Sequence, residues 1–143
     1  MNTSEELSAT IHQVQDFGIW NESPEQIDER LKAAVDGIAS SERRRDMGGM
    51  SLPGWVGKRI RDFKKAVHED LCDSEKGELK EKYQDFLKKG LTIEGVSAVA
   101  AVVSKIVASI NPAYAVSTVA VYLAIWLLKV GLNSWCSRTP DSQ

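Results

Sequence analysis

Hydrophobic residues recur every three or four positions in four segments of the first 90 residues, with charged residues between them. This spacing places the hydrophobic side chains of each segment on one face of an α-helix. The four stripes are Leu7, Ile11, Val14 and Phe17; Ile27, Leu31, Val35 and Ile38; Val56, Ile60, Phe63, Val67 and Leu71; and Leu79, Tyr83, Phe86 and Leu87. We therefore predict four charged amphipathic helices, each packing on one side only.

Short polar signals mark where these helices begin and end. Gly18 is expected to end the first helix. The second helix begins after Ser23, because Pro24 suits the first helical position and Gln26 completes a capping box with Ser23. Residues 46–54 contain three glycines and a proline, a cluster of helix breakers that predicts a mobile linker before the third helix.

Beyond residue 90 the pattern changes, because charged residues become rare. The charged residues in this part of the chain are Glu94, Lys105, Lys129, Arg138 and Asp141. We predict a fifth helix over about 93–110, a sharp turn at Asn111-Pro112, and a sixth helix over about 113–135. The fifth helix has one Val/Ile side and one small, polar side, whereas the sixth is apolar all round. A helix that is apolar on every side is buried in protein or sits in lipid.

These features predict an all-α fold of about six helices in a single domain. The charged helices of residues 1–90 are expected to pack around a C-terminal apolar hairpin formed by residues 91–136. The residues expected in the hairpin core, or in a membrane, are Val99, Val103, Ile106, Ile110, Val119, Leu123, Trp126 and Leu127.

A membrane-spanning alternative remains open for residues 91–132. A helical span needs about 20 apolar residues, and both predicted helices just reach that length. Lys105 opposes insertion, since a lysine at mid-depth costs about 2.5–3.5 kcal/mol. An apolar hairpin sheathed by amphipathic helices is nevertheless how soluble pore-forming proteins store a membrane segment. The rival hypothesis is therefore a membrane-acting effector whose hairpin is an anchor or a pore-forming segment.

Composition is that of an ordinary globular protein. The chain has 143 residues, 43% of them hydrophobic and 27% charged, which suits one folded domain rather than a disordered segment. Its net charge is −2, and nucleic-acid-binding domains usually carry a clear basic excess. We therefore do not expect a nucleic-acid partner.

One segment departs from this balance. Residues 42–65 carry eight basic and three acidic residues, whereas residues 1–41 carry two basic and eight acidic residues. The basic residues are Arg43, Arg44, Arg45, Lys58, Arg59, Arg61, Lys64 and Lys65. We predict that they bind an acidic protein partner or the headgroups of an anionic membrane. The alternative is that the acidic helices neutralise them within the fold.

No pattern in the chain indicates catalysis, a metal site or a cofactor. His12 and His68 are the two histidines and lie in different predicted helices, and the C-x-x-C and H-x-x-x-H spacings of zinc sites are missing. Gly48-Gly49 lacks the ending of a phosphate-binding loop. We predict a protein that is not an enzyme, has no small-molecule substrate, and acts by binding a protein partner or by self-association.

The location of the protein is predicted from two weaker signals. Cys72 and Cys136 are too few to form a disulfide scaffold and are expected to be reduced. The first seven residues lack the basic start and apolar stretch of a signal peptide, so none is expected. We predict a cytoplasmic protein, with membrane association as the alternative.

Overall fold

A computed structural model describes residues 4–46, 52–70 and 92–130, and these three ranges contain helices and no strand. The α-helices are α1 (Ser4–Asp16), α2 (Pro24–Asp46), α3 (Leu52–His68), α4 (Ile93–Ile110) and α5 (Ser117–Val130). Single turns of 3₁₀ helix, Ile19–Asn21 and Pro112–Tyr114, precede α2 and α5. The all-α prediction is confirmed for these ranges. The helix predicted over residues 79–87, and both cysteines, lie outside the described residues.

Helix α1 follows the predicted stripe except at its last position. Leu7, Ile11 and Val14 are buried, whereas Phe17 is 77% exposed, so the prediction of a buried Phe17 is wrong. The helix ends at Asp16, and Gly18 adopts a left-handed conformation with φ of 74°. Phe17 therefore lies outside the helical repeat, and its side chain points away from the core.

The capping box at the start of α2 is formed as predicted. The backbone N–H of Gln26 donates to Ser23 Oγ at 3.2 Å, and the backbone N–H of Ser23 donates to Gln26 Oε1 at 2.9 Å. At the two ends of the predicted linker over 46–54, Asp46 is the last residue of α2 and Leu52 is the first residue of α3, and residues 47–51 between them lie outside the described residues. Pro53 is accommodated because the first helical turn needs no N–H donor at that position.

Helix α4 begins at a second polar cap, where Thr92 Oγ1 accepts the N–H of Gly95 at 3.1 Å. Its Val side is buried as predicted, and Ser104 on the opposite side is buried as well. The wider buried surface arises because α4 contacts α1, α3 and α5, and not α5 alone. Helix α4 is therefore more deeply buried than its pattern of small and polar residues predicts.

Helix α5 begins at Ser117, later than the predicted start at Ala113. Asn111 Oδ1 accepts the N–H of Ala113 at 3.1 Å, and the turn beginning at Pro112 is 3₁₀ rather than α-helical. Each of the fourteen residues of α5 is buried or partly buried. Its neighbours are α1, α2 and α4, so α5 is the central helix of the described fold.

We call α4 and α5 together the C-terminal helix pair. Helices α1, α2 and α3 cover this pair. The two helices of the pair contact each other, α1 contacts both, α2 packs on α5, and α3 packs on α2 and α4. Helices α2 and α3 run antiparallel, since Asp28 contacts Lys64 and a groove beside Lys32 and Asp36 is also lined by Val56. One core cluster contains buried residues from all five helices.

Candidate functional site

Helix α3 is the candidate site, because it separates apolar and basic side chains onto opposite sides. The buried apolar residues are Trp55, Val56, Ile60, Phe63 and Val67. Lys58, Arg61 and Lys65 are three and four positions apart, so they lie along one strip of the helix on the other side. Arg61 and Lys65 are exposed and Lys58 is partly exposed. We call these three residues the basic face.

The basic face keeps most of its positive charge. Lys58 Nζ lies 3.4 Å from Asp62 Oδ2, one turn along the same helix, and both side chains are well exposed to solvent. Within the described residues, Arg61 and Lys65 have no carboxylate at ion-pair distance. Exposed ion pairs of the Lys58–Asp62 kind contribute about 0–1 kcal/mol, so Lys58 remains available to an acidic partner.

The side chain of Lys64, unlike those of the basic face, points into the bundle. The residue is 6% exposed. Its Nζ lies 2.8 Å from Asp28 Oδ1 on α2 and 4.0 Å from the ring centroid of Trp126 on α5. Lys64 was predicted to bind a partner or lipid headgroups, but here an internal carboxylate and an aromatic ring surround its ammonium group. We call Lys64, Asp28 and Trp126 the Lys64 clasp.

The carboxylate of the clasp is shared between two lysines. Asp28 Oδ2 lies 3.5 Å from Lys32 Nζ, and Glu29 Oε1 lies 3.3 Å from the same nitrogen. Burial lowers the pKa of Lys32, but the attraction of Asp28 and Glu29 outweighs it, and the pKa of Lys32 is raised. Asp28 thus holds one cation on its own helix and one on α3. Neutralising Asp28 would leave the more deeply buried cation, Lys64, without its carboxylate.

Arg59 has contacts inside the bundle as well as with its own helix, where its Nη1 lies 3.7 Å from Asp62 Oδ2. Its guanidinium carbon lies 4.5 Å from the ring centroid of Trp55 and 5.8 Å from that of Tyr114. Tyr114 is fully buried and packs against Phe63 with ring centroids 5.3 Å apart. This stack connects α3 to the turn between α4 and α5, so Arg59 stabilises the position of α3 against the C-terminal helix pair.

The predicted basic residues therefore separate into three groups. Arg43, Arg44 and Arg45 lie in the last turn of α2, and their side chains are outside the described part of the structure. Lys58, Arg61 and Lys65 form the basic face. Arg59 and Lys64 have contacts inside the bundle. Neutralisation by an acidic helix, the alternative considered from sequence, describes Lys64 but not Arg61 or Lys65.

The predicted hairpin residues occupy the core with two exceptions. Val99, Val103, Val119, Leu123, Trp126 and Leu127 are buried. Ile106 is partly buried and Ile110 is 36% exposed at the end of α4. Within the described residues, α4 is the one helix long and apolar enough to cross a membrane, and α5 is a shorter apolar helix. The core helix of a soluble bundle has the same properties.

Two open grooves accompany these features. One, of about 530 Å³, lies between α1, α2 and α5 and is lined by Thr10, Gln13, Val14, Phe17, Ile19, Arg30, Thr118 and Tyr122. The other, of about 560 Å³, lies between α2 and α3 and is lined by Glu29, Lys32, Ala33, Asp36, Val56 and Gly57. Neither groove is lined by His or Cys. The described residues contain no group of three or more His, Cys, Asp or Glu side chains placed to hold a metal ion.

Sequence reasoning missed the partners of Arg59 and Lys64. The Trp55–Arg59 contact has a local signal, because the two residues are four apart on one helix. No local signal indicates the contacts of α3 with Asp28, Tyr114 and Trp126, since each of these residues reaches α3 only through the packing of segments distant in sequence. No protein-family model matches the chain, and no curated protein or solved structure matches it either. Function is therefore inferred from the chemistry of the described residues.

Proposed function

We propose that this protein is a non-enzymatic helical interaction module whose basic face binds an acidic protein partner. In this proposal the C-terminal helix pair is a hairpin that forms the core and holds α3 in place. The observation that carries the proposal is the exposure of Lys58, Arg61 and Lys65 along one side of α3, where Asp62 pairs with Lys58 and, among the described residues, Arg61 and Lys65 have no carboxylate at ion-pair distance. Cations fixed in a row on a rigid helix favour a complementary row of carboxylates and increase the rate of association.

A protein partner suits this closed bundle better than a lipid surface does. The apolar residues of α3 are directed inwards, so the basic face offers charge alone to a membrane. Each Lys or Arg near an anionic membrane contributes about 1 kcal/mol, and three of them give only weak attachment. A folded acidic partner adds hydrogen bonds to the same cations, which strengthens each contact.

The test compares two triple variants with the same three positions changed. Replacing Lys58, Arg61 and Lys65 by Glu should abolish capture of the acidic partner that the parent captures from native cells, with helicity unchanged by circular dichroism. The variant Lys58→Arg, Arg61→Lys, Lys65→Arg keeps the charge and should retain capture. Chemical cross-links from Lys58 and Lys65 should reach acidic side chains of the partner. Full capture by the Glu variant would refute the proposal.

A membrane-acting effector is the second candidate, and the length of α4 favours it. Its 18 residues span about 27 Å at 1.5 Å per residue, close to the thickness of the hydrocarbon core of a bilayer. In this candidate the C-terminal helix pair is an anchor or an inserting segment, and the cover of α1, α2 and α3 protects it in water. Lys105, exposed on α4, opposes this use of the helix.

Fractionation of native cells distinguishes the two candidates. The interaction module should appear in the cytosol and should purify without detergent as one sharp species. A constitutively inserted effector should sediment with membranes and resist extraction at alkaline pH. Recovery of all of the protein in the resistant membrane fraction would exclude the closed bundle as the resident form.

A further inference from the structure

We infer that α3 is a releasable cover, fastened by the Lys64 clasp, and that an anionic bilayer is the surface onto which it is released. Release uncovers the side of α4 on which α3 packs, together with Trp126 of α5, and allows the C-terminal helix pair to insert. The inference deepens the second candidate function, on which it rests. It assigns a partner to the apolar side of α3, whereas the acidic protein partner is assigned to the basic face of the closed form.

The first argument is the composition of α3. One side carries Trp55, Phe63 and three aliphatic residues, and the opposite side carries the basic face. A helix with an apolar face containing Trp or Phe and a polar face rich in Lys and Arg is typical of interfacial membrane helices. The hydrophobic contacts that α3 leaves in the bundle are replaced by contacts with acyl chains. The exchange is therefore far less costly at a bilayer than in water.

The second argument is the chemistry of the clasp. A buried ion pair contributes little to stability when both partners are present, but loss of one partner leaves an uncompensated buried charge, which is strongly destabilising. Lys64 Nζ depends on Asp28 for its carboxylate. Lipid phosphates can replace that carboxylate, and the basic face on the same helix brings Lys64 close to them. The clasp therefore opens preferentially at an anionic surface.

The third argument is what the clasp covers. Trp126, the ring beneath Lys64 Nζ, lies on α5, a helix without an exposed residue. Arg59 fastens the other end of α3 to Tyr114, in the turn that joins α4 to α5. Lys64 thus contacts the C-terminal helix pair directly, and Arg59 contacts the turn that joins its two helices. Removing α3 exposes an apolar surface that water disfavours and that lipid accepts.

The experiment uses the full chain and vesicles of phosphatidylcholine with or without phosphatidylglycerol. Asp28→Asn removes the carboxylate of the clasp, and Glu29→Gln removes the adjacent charge of the same helix, so the two variants have equal net charge. Asp28→Asn should increase the salt-resistant fraction that co-sediments with anionic vesicles about tenfold or more over the parent, because a buried cation is left unpaired. Glu29→Gln should resemble the parent. Neither should bind pure phosphatidylcholine.

A second variant changes the clasp in the opposite direction. Lys64→Met keeps the length of the side chain against Trp126 and removes the buried cation, while Asp28 keeps Lys32. This substitution should hold α3 closed, so its salt-resistant binding should fall below that of the parent and should lie at least about tenfold below that of Asp28→Asn. Because Lys64→Met does not depend on the fold of Asp28→Asn, the comparison with the parent stands even if the latter does not fold.

Two outcomes overturn the inference. Equal salt-resistant binding by Asp28→Asn and Glu29→Gln would mean that net charge alone controls attachment. Binding by Lys64→Met at the level of a folded Asp28→Asn would mean that the clasp is only a structural contact. The basic face is intact in all of these variants, so failure of the inference leaves capture of the acidic protein partner unaffected, and the two proposals fail separately.

Discussion

Adjacent lysines of α3 show how one step along a helix changes the role of a residue. Lys64 and Lys65 are separated by about 100° around the helix axis. This rotation places Lys65 in solvent and Lys64 among Asp28 and Trp126. A buried ammonium group requires a carboxylate because desolvation disfavours its charge. The role of each lysine therefore depends on the direction in which its side chain leaves the helix as much as on its residue type.

Trp126 should be among the residues most sensitive to truncation. It is 6% exposed and packs beneath Lys64. Trp126→Ala should lower the free energy of unfolding by about 3–5 kcal/mol, since it leaves a cavity and removes the ring that contacts the buried cation. Phe17→Ala truncates an exposed aromatic side chain and should change the free energy of unfolding by less than about 0.5 kcal/mol. Urea unfolding followed by circular dichroism measures both, and equal losses would contradict the assigned burial.

Glu22 should make a pH-dependent contribution to stability. Arg30 donates to its two carboxylate oxygens at 2.6 and 2.8 Å, and this hydrogen bonding lowers the pKa of Glu22 and raises the pKa of Arg30. A carboxyl group with a lowered pKa stabilises the fold above its unfolded pKa, and this contribution is lost as the pH falls through the folded value. Because both side chains are partly exposed, it should not exceed about 1 kcal/mol.

The measurement is the melting temperature of the parent and of Glu22→Gln across a pH series. The parent should melt at the higher temperature at neutral pH. The difference should disappear as the pH falls through the lowered pKa of Glu22, because protonation of the carboxyl group removes the ion pair with Arg30. A difference that is constant across the series would show that the substitution acts through packing instead of through the ion pair.

Helix ends are the feature of the elements that local sequence determines best. The starts of α2 and α4 satisfy backbone N–H groups through Ser23 and Thr92, and Gly18 follows the end of α1 with the positive φ that glycine tolerates. These interactions join residues three positions apart or fewer, so they form wherever the local sequence supplies them. A hydrogen bond of the same local kind, from the Ala113 N–H to Asn111 Oδ1, accompanies the 3₁₀ turn that precedes α5.

The capping box of α2 gives a prediction at this scale. Ser23→Ala removes the acceptor of the Gln26 N–H and should cost about 0.5–2 kcal/mol of stability. Ser40→Ala is the matched control on the same helix, because Ser40 is exposed and donates only to the carbonyl oxygen of Asp36. It should be neutral or slightly stabilising, since alanine is the better helix former. Chemical unfolding compares them, and an unchanged midpoint for Ser23→Ala would mean that the helix does not depend on this cap.

At the scale of the whole molecule, the described fold places its most apolar helix where water reaches it least. Three amphipathic helices and α4 each contribute a hydrophobic side, and α5 needs no polar side because other helices surround it. Burial of this surface is the main favourable term in folding. The same apolarity suits α5 to a bilayer, so the environment of the C-terminal helix pair decides between the two candidate functions.

Lys105 tests that environment directly. It is exposed on α4, so in the closed bundle Lys105→Leu should change the free energy of unfolding by less than about 0.5 kcal/mol and leave the protein in the cytosolic fraction. If α4 resides in a membrane, removing the charge should strengthen retention, because a lysine at mid-depth costs about 2.5–3.5 kcal/mol. Membrane partition and thermal melting of Lys105→Leu beside the parent distinguish these outcomes. Movement into the membrane fraction would contradict the closed bundle.

Sequence alone determined the helical class, the caps and most buried positions of the described helices. Period-3.6 patterns act through local geometry, so the core positions Ile27, Leu31 and Val99 follow directly from spacing. The apolar character of the C-terminal helix pair is equally local. The basic stretch was also visible as composition, and Arg61 and Lys65 lie in solvent as a basic surface requires.

Tertiary structure alone decided which charges remain on the surface. Lys64 and Arg59 have the same residue types and nearly the same spacing as the basic face, yet Asp28, Trp126 and Tyr114 occupy their charged groups. These partners come from other helices, at separations of 36 residues and more along the chain. Ser104 became buried for a similar reason, because α4 packs against three helices. Such contacts depend on how whole helices are arranged, and no local pattern specifies that arrangement.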